Sequence, residues 1–487
     1  MRAYLASSIA VTCAAALAVP LALTTPAGAA AAPAAPRVHP AAPAEPAGST
    51  QSFPLEPLAR PAPLDAPRGR ALTPPAAPAG ERGLARRDVR PFSLVGVVWN
   101  DARTPLHGTV QVRTRATADG AWTGWQDVET HNEEHGADPG TPEGRSRALR
   151  GATAPLWVGD SDGVEVRVRP EAGPEHAAAA AALPAGLRLE LVDPGPDPAS
   201  ERAADPAGDP VSGRPAADPA ADSAADPAAD SAADPAAGAS RTRAAAVGGS
   251  TGLAPSDATV LPALTRAETL AELPGANRAA RAAKPYIGPR PKIITRKGWG
   301  ADERLREKAF GYTKSVKAAF VHHSATGNNY SCKQAPSVLR SIYRYHVKSL
   351  GWRDFGYNFA VDKCGNIYEG RAGGVAKPVL GAHTLGFNTN SMGVVVLGTF
   401  GSTTPPAAVV TAVAKLTAWK LGLYGVNPKG KVTLTSGGGN LYKKGRKVKF
   451  NAIAGHRDGF ATECPGGRLY NKLGTARSSS AKYQGRR

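Results

Sequence analysis

Residues 319–324 read Ala-Phe-Val-His-His-Ser, a short apolar run that ends in the paired histidines His322 and His323. A brief apolar run between polar residues is typical of a buried β-strand. Imidazole nitrogen is a common ligand of zinc, so histidines at the end of a core strand are candidates for a metal site. This stretch therefore predicts both the centre of a sheet and one side of a functional site.

The sequence on either side of this stretch alternates between helical and extended patterns. Helices are predicted over 334–350 and 407–421; in the first, Val338, Ile342 and Leu350 fall on one stripe. Further strands are predicted over 357–361, 366–368, 392–397 and 449–454. The mixture predicts an α/β domain over 286–475, with a mixed central β-sheet flanked by helices. A basic loop over 433–448 and a frayed basic tail over 476–487 complete this half of the chain.

A second folded part, over 89–192, is predicted to be a small all-β module. Val110 and Val112 alternate with polar residues, as do the valines of 164–168 and the leucines of 187–191. Alternation with period two indicates half-buried antiparallel strands. The module's four tryptophans either fill a small core, which we favour, or stack on sugar rings. They are Trp99, Trp122, Trp125 and Trp157.

The remaining segments are predicted to be an export signal and two linkers. Arg2, the apolar run 9–23 and the small residues 27–29 are typical of a cleaved signal peptide over 1–29. The run is shorter than the ~20 residues that span a bilayer, so we expect no stable membrane insertion. Residues 30–88 are rich in Ala and Pro, and 193–285 contain an Ala-Asp-Pro repeat without large apolar side chains. Both are expected to be disordered.

Charge divides the chain unevenly. Residues 286–487 hold 33 Lys and Arg against 8 Asp and Glu, whereas the whole chain has a formal net charge of +19. A strongly basic exported domain suits a polyanionic partner such as an anionic cell-wall polymer. The basic residues follow no recognisable nucleic-acid-binding motif, so no nucleic acid partner is expected.

The candidate metal ligands are far apart in sequence. His322 ends the first strand, His456 follows the last predicted strand, and Cys464 lies eight residues further on. Two imidazoles and a thiolate would bind Zn²⁺ and leave a fourth position for water, as catalytic zinc sites require. Each residue considered singly has the commoner alternative of a buried, hydrogen-bonded side chain, and for His346 that alternative is preferred.

At this point the sequence resembles a known family. The motifs that carry the resemblance are Trp299-Gly300, Val321-His322-His323-Ser324, Gly356-Tyr357-Asn358-Phe359, Tyr368-Glu369-Gly370-Arg371, Gly381-Ala382-His383, Gly455-His456-Arg457-Asp458 and Thr462-Glu463-Cys464-Pro465-Gly466. Together they resemble the peptidoglycan recognition proteins, which share their fold with the type 2 N-acetylmuramoyl-L-alanine amidases. The resemblance covers residues 290–473.

The resemblance implies roles for individual residues. His322, His456 and Cys464 match the zinc ligands of the family's catalytic members, and Tyr357 matches the catalytic tyrosine. Thr462 stands where relatives carry a catalytic lysine or threonine. His383 and Arg371 lie in motifs that line the substrate groove, where Arg371 would bind a carboxylate of the muropeptide. Glu463 and Glu369 are candidates for the general base, and the alternative for each is a structural role or the orientation of a metal ligand.

Assigning Cys464 to zinc leaves Cys332 and Cys364. In an oxidising compartment these two would form a disulfide that closes a loop of about 30 residues. Two buried free thiols are the alternative.

The sequence as a whole predicts a secreted, extracellular or wall-associated monomer that uses Zn²⁺ to hydrolyse the amide between N-acetylmuramic acid and L-alanine in peptidoglycan. The alternative is a recognition protein that binds peptidoglycan without cutting it. Since non-catalytic members lose the cysteine or the first histidine and this chain keeps both, catalysis is favoured.

Overall fold

The N-terminal part of the chain is an all-β domain, as the alternating valines predict. The computed structural model describes residues 48–58, 80–171, 182–197, 258–272 and 286–487. The strands of this domain are β1 (Ser49–Pro54), β2 (Glu56–Pro57), β3 (Arg82–Trp99), β4 (Gly108–Ala116), β5 (Gln126–Val128), β6 (Gly151–Ala152), β7 (Leu156–Pro170) and β8 (Arg188–Asp193). They form one antiparallel network in the order β1-β8-β3-β7-β4-β5, with β2 and β6 also paired to β3.

The core of this domain consists of the inward side chains of the alternating strands. Val110, Val112, Val164, Val166 and Val168 are all buried in it. Strand β3 shifts register against β7 at three points. Such irregularities bend a long strand, so its two halves can pair with different neighbours.

The four tryptophans divide between two environments. Trp99 and Trp157 are buried, as expected for core residues. Trp122 and Trp125 are only partly buried and lie beneath arginine side chains: the Arg86 guanidinium is 4.8 Å from the Trp122 ring centroid, and that of Arg167 is 4.0 Å from Trp125. The prediction that the tryptophans fill the core is therefore confirmed for Trp99 and Trp157 and is wrong for Trp122 and Trp125.

The domain begins earlier than its composition predicts. Strands β1 and β2 and the start of β3 lie within 30–88, so the expectation of disorder is wrong for these residues. Strand β1 gains its structure by pairing along its whole length with β8. That partner is about 140 residues away, which is why local composition does not reveal the strand. The expected signal peptide at 1–29 and most of both expected linkers lie outside the described residues.

The C-terminal part has the predicted mixed sheet. Its strands are β9 (Val260–Leu261), β10 (Ile293–Ile294), β11 (Ala318–His323), β12 (Phe359–Val361), β13 (Ile367–Glu369), β14 (Ser391–Val396) and β17 (Ile453–Gly455), with the hairpin β15 (Lys431–Thr435) and β16 (Lys447–Asn451) forming a separate sheet. The seven-stranded order is β17-β11-β14-β12-β13-β10-β9. Strand β11 lies parallel to both β14 and β17. Parallel strands end at the same edge of a sheet, so the residues after β11 and β17 meet there.

Within the described ranges, five α-helices accompany this sheet. They are α1 (Arg266–Ala271), α2 (Ala335–Arg344, continuing as a π-helical turn over Tyr345–Ser349), α3 (Ala407–Gly422), α4 (Gly467–Tyr470) and α5 (Leu473–Tyr483). No helix among the described residues is long and apolar enough to cross a bilayer.

Four expectations for this half need correction. Helix α5 and its capping residue Gln484 pack on α3, so the tail at 476–487 is not frayed. Strand β9 and helix α1 lie inside the expected 193–285 linker. The basic loop is a hairpin with buried Leu434 and Phe450, and the predicted final strand divides into β16 and β17.

Helix α2 joins the two halves into one packed structure. Leu94, Val98 and Val192 of the β domain share a hydrophobic cluster with Val338 and Ile342 of α2. The Tyr345 hydroxyl donates to the carbonyl oxygen of Thr153 at 3.1 Å, and Ser349 donates to the Glu190 carboxylate at 2.9 Å. The first domain therefore lies against the helix next to the metal-ligand motifs.

A disulfide joins Cys332 and Cys364, the pair expected from the resemblance, and Cys464 is free and buried. Replacing both paired cysteines with serine is expected to lower the free energy of unfolding by about 3–4 kcal/mol, because the denatured chain regains the freedom of a closed loop. Denaturant unfolding of the double variant tests this. An unchanged midpoint at an unchanged slope would contradict it.

Candidate metal centre

The three predicted metal ligands converge at one edge of the sheet. His322 is on β11, His456 directly follows β17, and Cys464 lies on the loop after it. The Cys464 Sγ is 3.8 Å from His322 Nδ1, and the ring centroids of His322 and His456 are 4.4 Å apart. Two ligands on one tetrahedral zinc ion lie about 3.3–3.6 Å apart, given bond lengths of 2.0–2.3 Å. The side chains are thus close enough to share an ion with small adjustments.

Burial prepares these side chains to bind a cation. His322 and His456 have 0% relative exposure and Cys464 has 3%. Burial lowers the pKa of both imidazoles well below its ordinary value, so each keeps a free lone pair. Burial raises the pKa of the Cys464 thiol, so forming the thiolate requires a cation beside it.

Unpaired nitrogens give the most direct test of whether a metal fits. Both ring nitrogens of His456 are buried without a hydrogen-bond partner. Buried polar atoms are nearly always paired, and a pair of orphaned nitrogens needs an explanation. The two imidazoles and the sulfur are the donor set that zinc prefers. The residues present therefore fit a zinc ion.

Neighbouring side chains orient the candidate ligands. The His322 Nε2 is 3.4 Å from the Thr384 hydroxyl, on the side of the ring away from Cys464. Asp458 accepts from the backbone N–H of Gly455 at 2.9 Å and from the Tyr470 hydroxyl at 2.6 Å, which holds the turn that presents His456. Asp458 forms no ion pair with its neighbour Arg457.

Arg457 pairs instead with Glu463, whose side chain is almost fully exposed. Glu369, the other carboxylate considered as a base, accepts from the backbone N–H of Arg296 at 3.3 Å.

His323 is buried behind the ligands, and His346 is buried with its ring stacked on Trp352 at 4.4 Å, as expected of structural histidines.

Tyr357 and Thr462 both lie beside the candidate ligands. The Tyr357 ring centroid is 5.2 Å from that of His322, and burial raises the pKa of the phenol well above its ordinary value. The hydroxyl therefore remains a hydrogen-bond donor at neutral pH. The Thr462 hydroxyl accepts from the backbone N–H of Cys464 at 3.1 Å and donates to the Glu134 carboxylate at 2.7 Å.

His383 and Arg371, the predicted substrate-binding residues, are not open to solvent in this structure. His383 is fully buried, with its ring centroid 5.3 Å from that of His322. Arg371 is also buried and forms a two-point ion pair with Glu143 at 2.8 Å for each bond. A carboxylate of the chain itself thus holds the guanidinium expected to bind a muropeptide carboxylate.

One residue at the centre was not predicted at all. His135, from the β domain, lies with His322, His456 and Cys464 in a group whose ligand atoms are all within 4.8 Å of one another. Its neighbour Glu134 is buried, and burial raises the pKa of that carboxyl to about 7. The segment has no local motif, and nearly 190 residues separate His135 from His322. Only the docking of the two domains reveals it.

Comparison with known proteins identifies relatives for both parts of the chain. Residues 312–467 match the N-acetylmuramoyl-L-alanine amidase family, and residues 31–185 match a family described as Rv3811 N-terminal galactose-binding domain-like. The chain is 32% identical over 184 residues to peptidoglycan-recognition protein SC2 of Drosophila simulans, covering 38% of this chain and 85% of that protein.

Two solved structures are also similar. Wild-type PGRP-LB of Drosophila aligns with 28% identity and a TM-score of 0.30, covering 38% of this chain and 92% of that one. Peptidoglycan recognition protein-LE, solved in complex with tracheal cytotoxin, aligns with the same identity, TM-score and coverage.

Proposed function

Since the chain belongs to the peptidoglycan recognition protein family, we propose that it is a zinc-dependent amidase that hydrolyses the bond between N-acetylmuramic acid and L-alanine in peptidoglycan. The observation that carries this proposal is the buried convergence of His322, His456 and Cys464, with orphaned nitrogens on His456. A protein that only binds peptidoglycan needs no such donor set.

The side chains around the centre have complementary roles in this proposal. When bound, zinc supplies Lewis-acid polarisation of the amide carbonyl and makes water more acidic. His322 and His456 contribute neutral nitrogens, and Cys464 contributes a negative sulfur. The Tyr357 hydroxyl donates a hydrogen bond to the charge that develops on the carbonyl oxygen of the scissile amide. Thr462 adds a neutral hydroxyl within reach of the same region.

The proposed setting follows from charge and family. The basic C-terminal domain is suited to peptidoglycan and to anionic wall polymers, and the exposed lysines of the β15–β16 hairpin extend that basic surface. We propose that the protein acts as a monomer outside the cell or at the wall.

Release of new L-alanine amino termini from purified peptidoglycan by the full chain tests the activity. We expect release that a zinc chelator abolishes and that added zinc restores, with about one zinc ion per chain by elemental analysis. New reducing sugar ends would identify a glycosidase and overturn the mechanism. Sedimentation with the wall without release would favour the recognition protein, if it is found both for the zinc-loaded parent and for His135→Ala, which removes a side chain beside the metal ligands.

A further inference from the structure

We propose that residues 129–150, here called the occluding segment, hold the amidase in a latent state in which His135 is a fourth protein ligand of the metal. The inference rests on the proposed zinc amidase function and adds its regulation. The segment connects β5 to β6 in the first domain and lies across the metal centre of the second.

His135 is positioned as a ligand. Its ring centroid is 4.6 Å from that of His456 and 5.5 Å from that of His322. Both of its ring nitrogens are buried without a hydrogen-bond partner, as are those of His456. One ion bound by these two imidazoles, the His322 imidazole and the Cys464 thiolate would account for one orphaned nitrogen on each of the two rings.

A fourth protein ligand would take the coordination position that a catalytic zinc site keeps for water or substrate. Zinc sites with four protein ligands are structural, whereas catalytic sites keep one position open for water or substrate. With His135 coordinated, the position that catalysis needs is taken. Withdrawal of His135 leaves His322, His456 and Cys464, the open set.

Carboxylates of the same segment bind the groups expected to contact substrate. Glu134 accepts from the Thr462 hydroxyl at 2.7 Å, and Glu143 binds both terminal nitrogens of Arg371. Asp138 accepts from the backbone N–H of Gly386 and the side-chain amide of Asn388, at 2.8 Å each. All three carboxylates are buried. Carboxylates of the segment thus occupy Thr462 and Arg371, two residues expected to act on or bind the substrate, so a stem peptide cannot contact these residues while the segment is in place.

The occluding segment can dissociate from the metal centre without unfolding either domain. Its residues form turns and bends but no helix or strand, and Leu149 is its one large apolar side chain. Apart from those of His135, the contacts described above are hydrogen bonds and ion pairs, which water can replace once the groups separate. Segments held by few apolar contacts open at lower free energy than core elements do.

Cobalt substitution provides a test that does not depend on activity. Full-length apo protein is loaded with Co²⁺, and the parent is compared with His135→Ala and with His131→Ala. His131 is a histidine of the same segment whose side chain is 69% exposed, so it is a matched control. We expect intense tetrahedral absorption bands in the parent and the control, and weaker, solvent-sensitive bands in His135→Ala. We also expect His135→Ala to bind zinc about 10-fold or more weakly in chelator competition. Identical spectra and affinities would overturn the fourth-ligand assignment.

Activity and exposure of the segment test the latent state. Release of L-alanine termini is expected to rise about 10-fold or more in His135→Ala and in Glu143→Gln, which leaves the metal ligands intact. Hydrogen exchange over 131–150 should increase in both variants and remain unchanged in His131→Ala. If His135→Ala changes the cobalt spectrum but lowers activity, His135 serves catalysis and latency is wrong. If exchange increases and zinc stays bound but neither variant releases product, the amidase proposal fails while the ligand assignment stands.

Discussion

Replacing Cys464 with alanine in the His135→Ala chain is expected to reduce amide hydrolysis by about 10³-fold or more, because the loss of several kcal/mol of charge stabilisation has that effect on rate. Cys464 is the one candidate of the four that would bind the metal as an anion, and its Sγ is 3.8 Å from His322 Nδ1. Without it and without His135, two neutral imidazoles remain, and they bind zinc weakly. Zinc content per chain and the rate of L-alanine release measure the effect together.

The expected zinc content of Cys464→Ala depends on whether His135 is present. In the parent chain, Cys464→Ala leaves three histidines, a set that can still hold zinc. We therefore expect the single variant to retain more zinc than the double variant, although neither hydrolyses the amide. Cys464→Ser, which nearly keeps the side-chain volume, controls for packing and should also be inactive. Full activity of the double variant would refute the role of Cys464, whereas continued sedimentation with peptidoglycan is expected in every case.

The sequence predicts those parts of the site that are local to a strand end or a motif. His322 and His456 each follow a short apolar run, and two parallel strands ending at one edge bring them together. The disulfide was predictable once Cys464 was assigned to the metal. The positions of helices α2 and α3 were also predictable, because apolar residues with a helical period bury one face.

The parts that could not be predicted depend on contacts between distant residues. Strand β1 is extended because it pairs with β8, and helix α5 is ordered because it packs on α3. Arg371 was expected to meet a substrate carboxylate, and it meets that of Glu143, 228 residues away in the chain. His135 has no motif of its own. Each of these features arises from tertiary packing, which local periodicity does not encode.

In the proposed latent state, the docking of the first domain gives the all-β domain of this chain a role in regulation. Helix α2 is buried against β3 and β8, so the β domain is anchored by apolar contacts on one side of the metal centre. The occluding segment, held by polar contacts, extends from this anchored domain to the centre itself. The apolar contacts of α2 with β3 and β8 therefore keep the occluding segment at high local concentration near the metal centre. The polar contacts of the segment itself allow it to open while the domains stay docked.

The remaining large effect is expected at Tyr357. Changing it to phenylalanine in the His135→Ala chain should lower kcat by about 10²–10³-fold while KM, zinc content and wall binding stay nearly constant, because one donor to the developing oxyanion is lost. The ring itself remains, packed 5.7 Å from the Phe355 ring centroid and 5.2 Å from that of His322. A defect confined to kcat therefore reports the hydroxyl and not the packing.

Tyr330→Phe is the matched control for this measurement. Its hydroxyl is also buried, but it donates to the carbonyl oxygen of Leu397 and accepts from the N–H of Lys363. Loss of that hydroxyl should lower stability by about 1 kcal/mol and leave kcat unchanged. If Tyr357→Phe keeps its kcat within about threefold of the background chain, transition-state stabilisation by this hydroxyl is worth less than 1 kcal/mol. The developing charge would then have to be stabilised by the metal and by Thr462. A fall in kcat for both variants would instead point to a general loss of order around the centre, which hydrogen exchange of β11 and β12 would reveal.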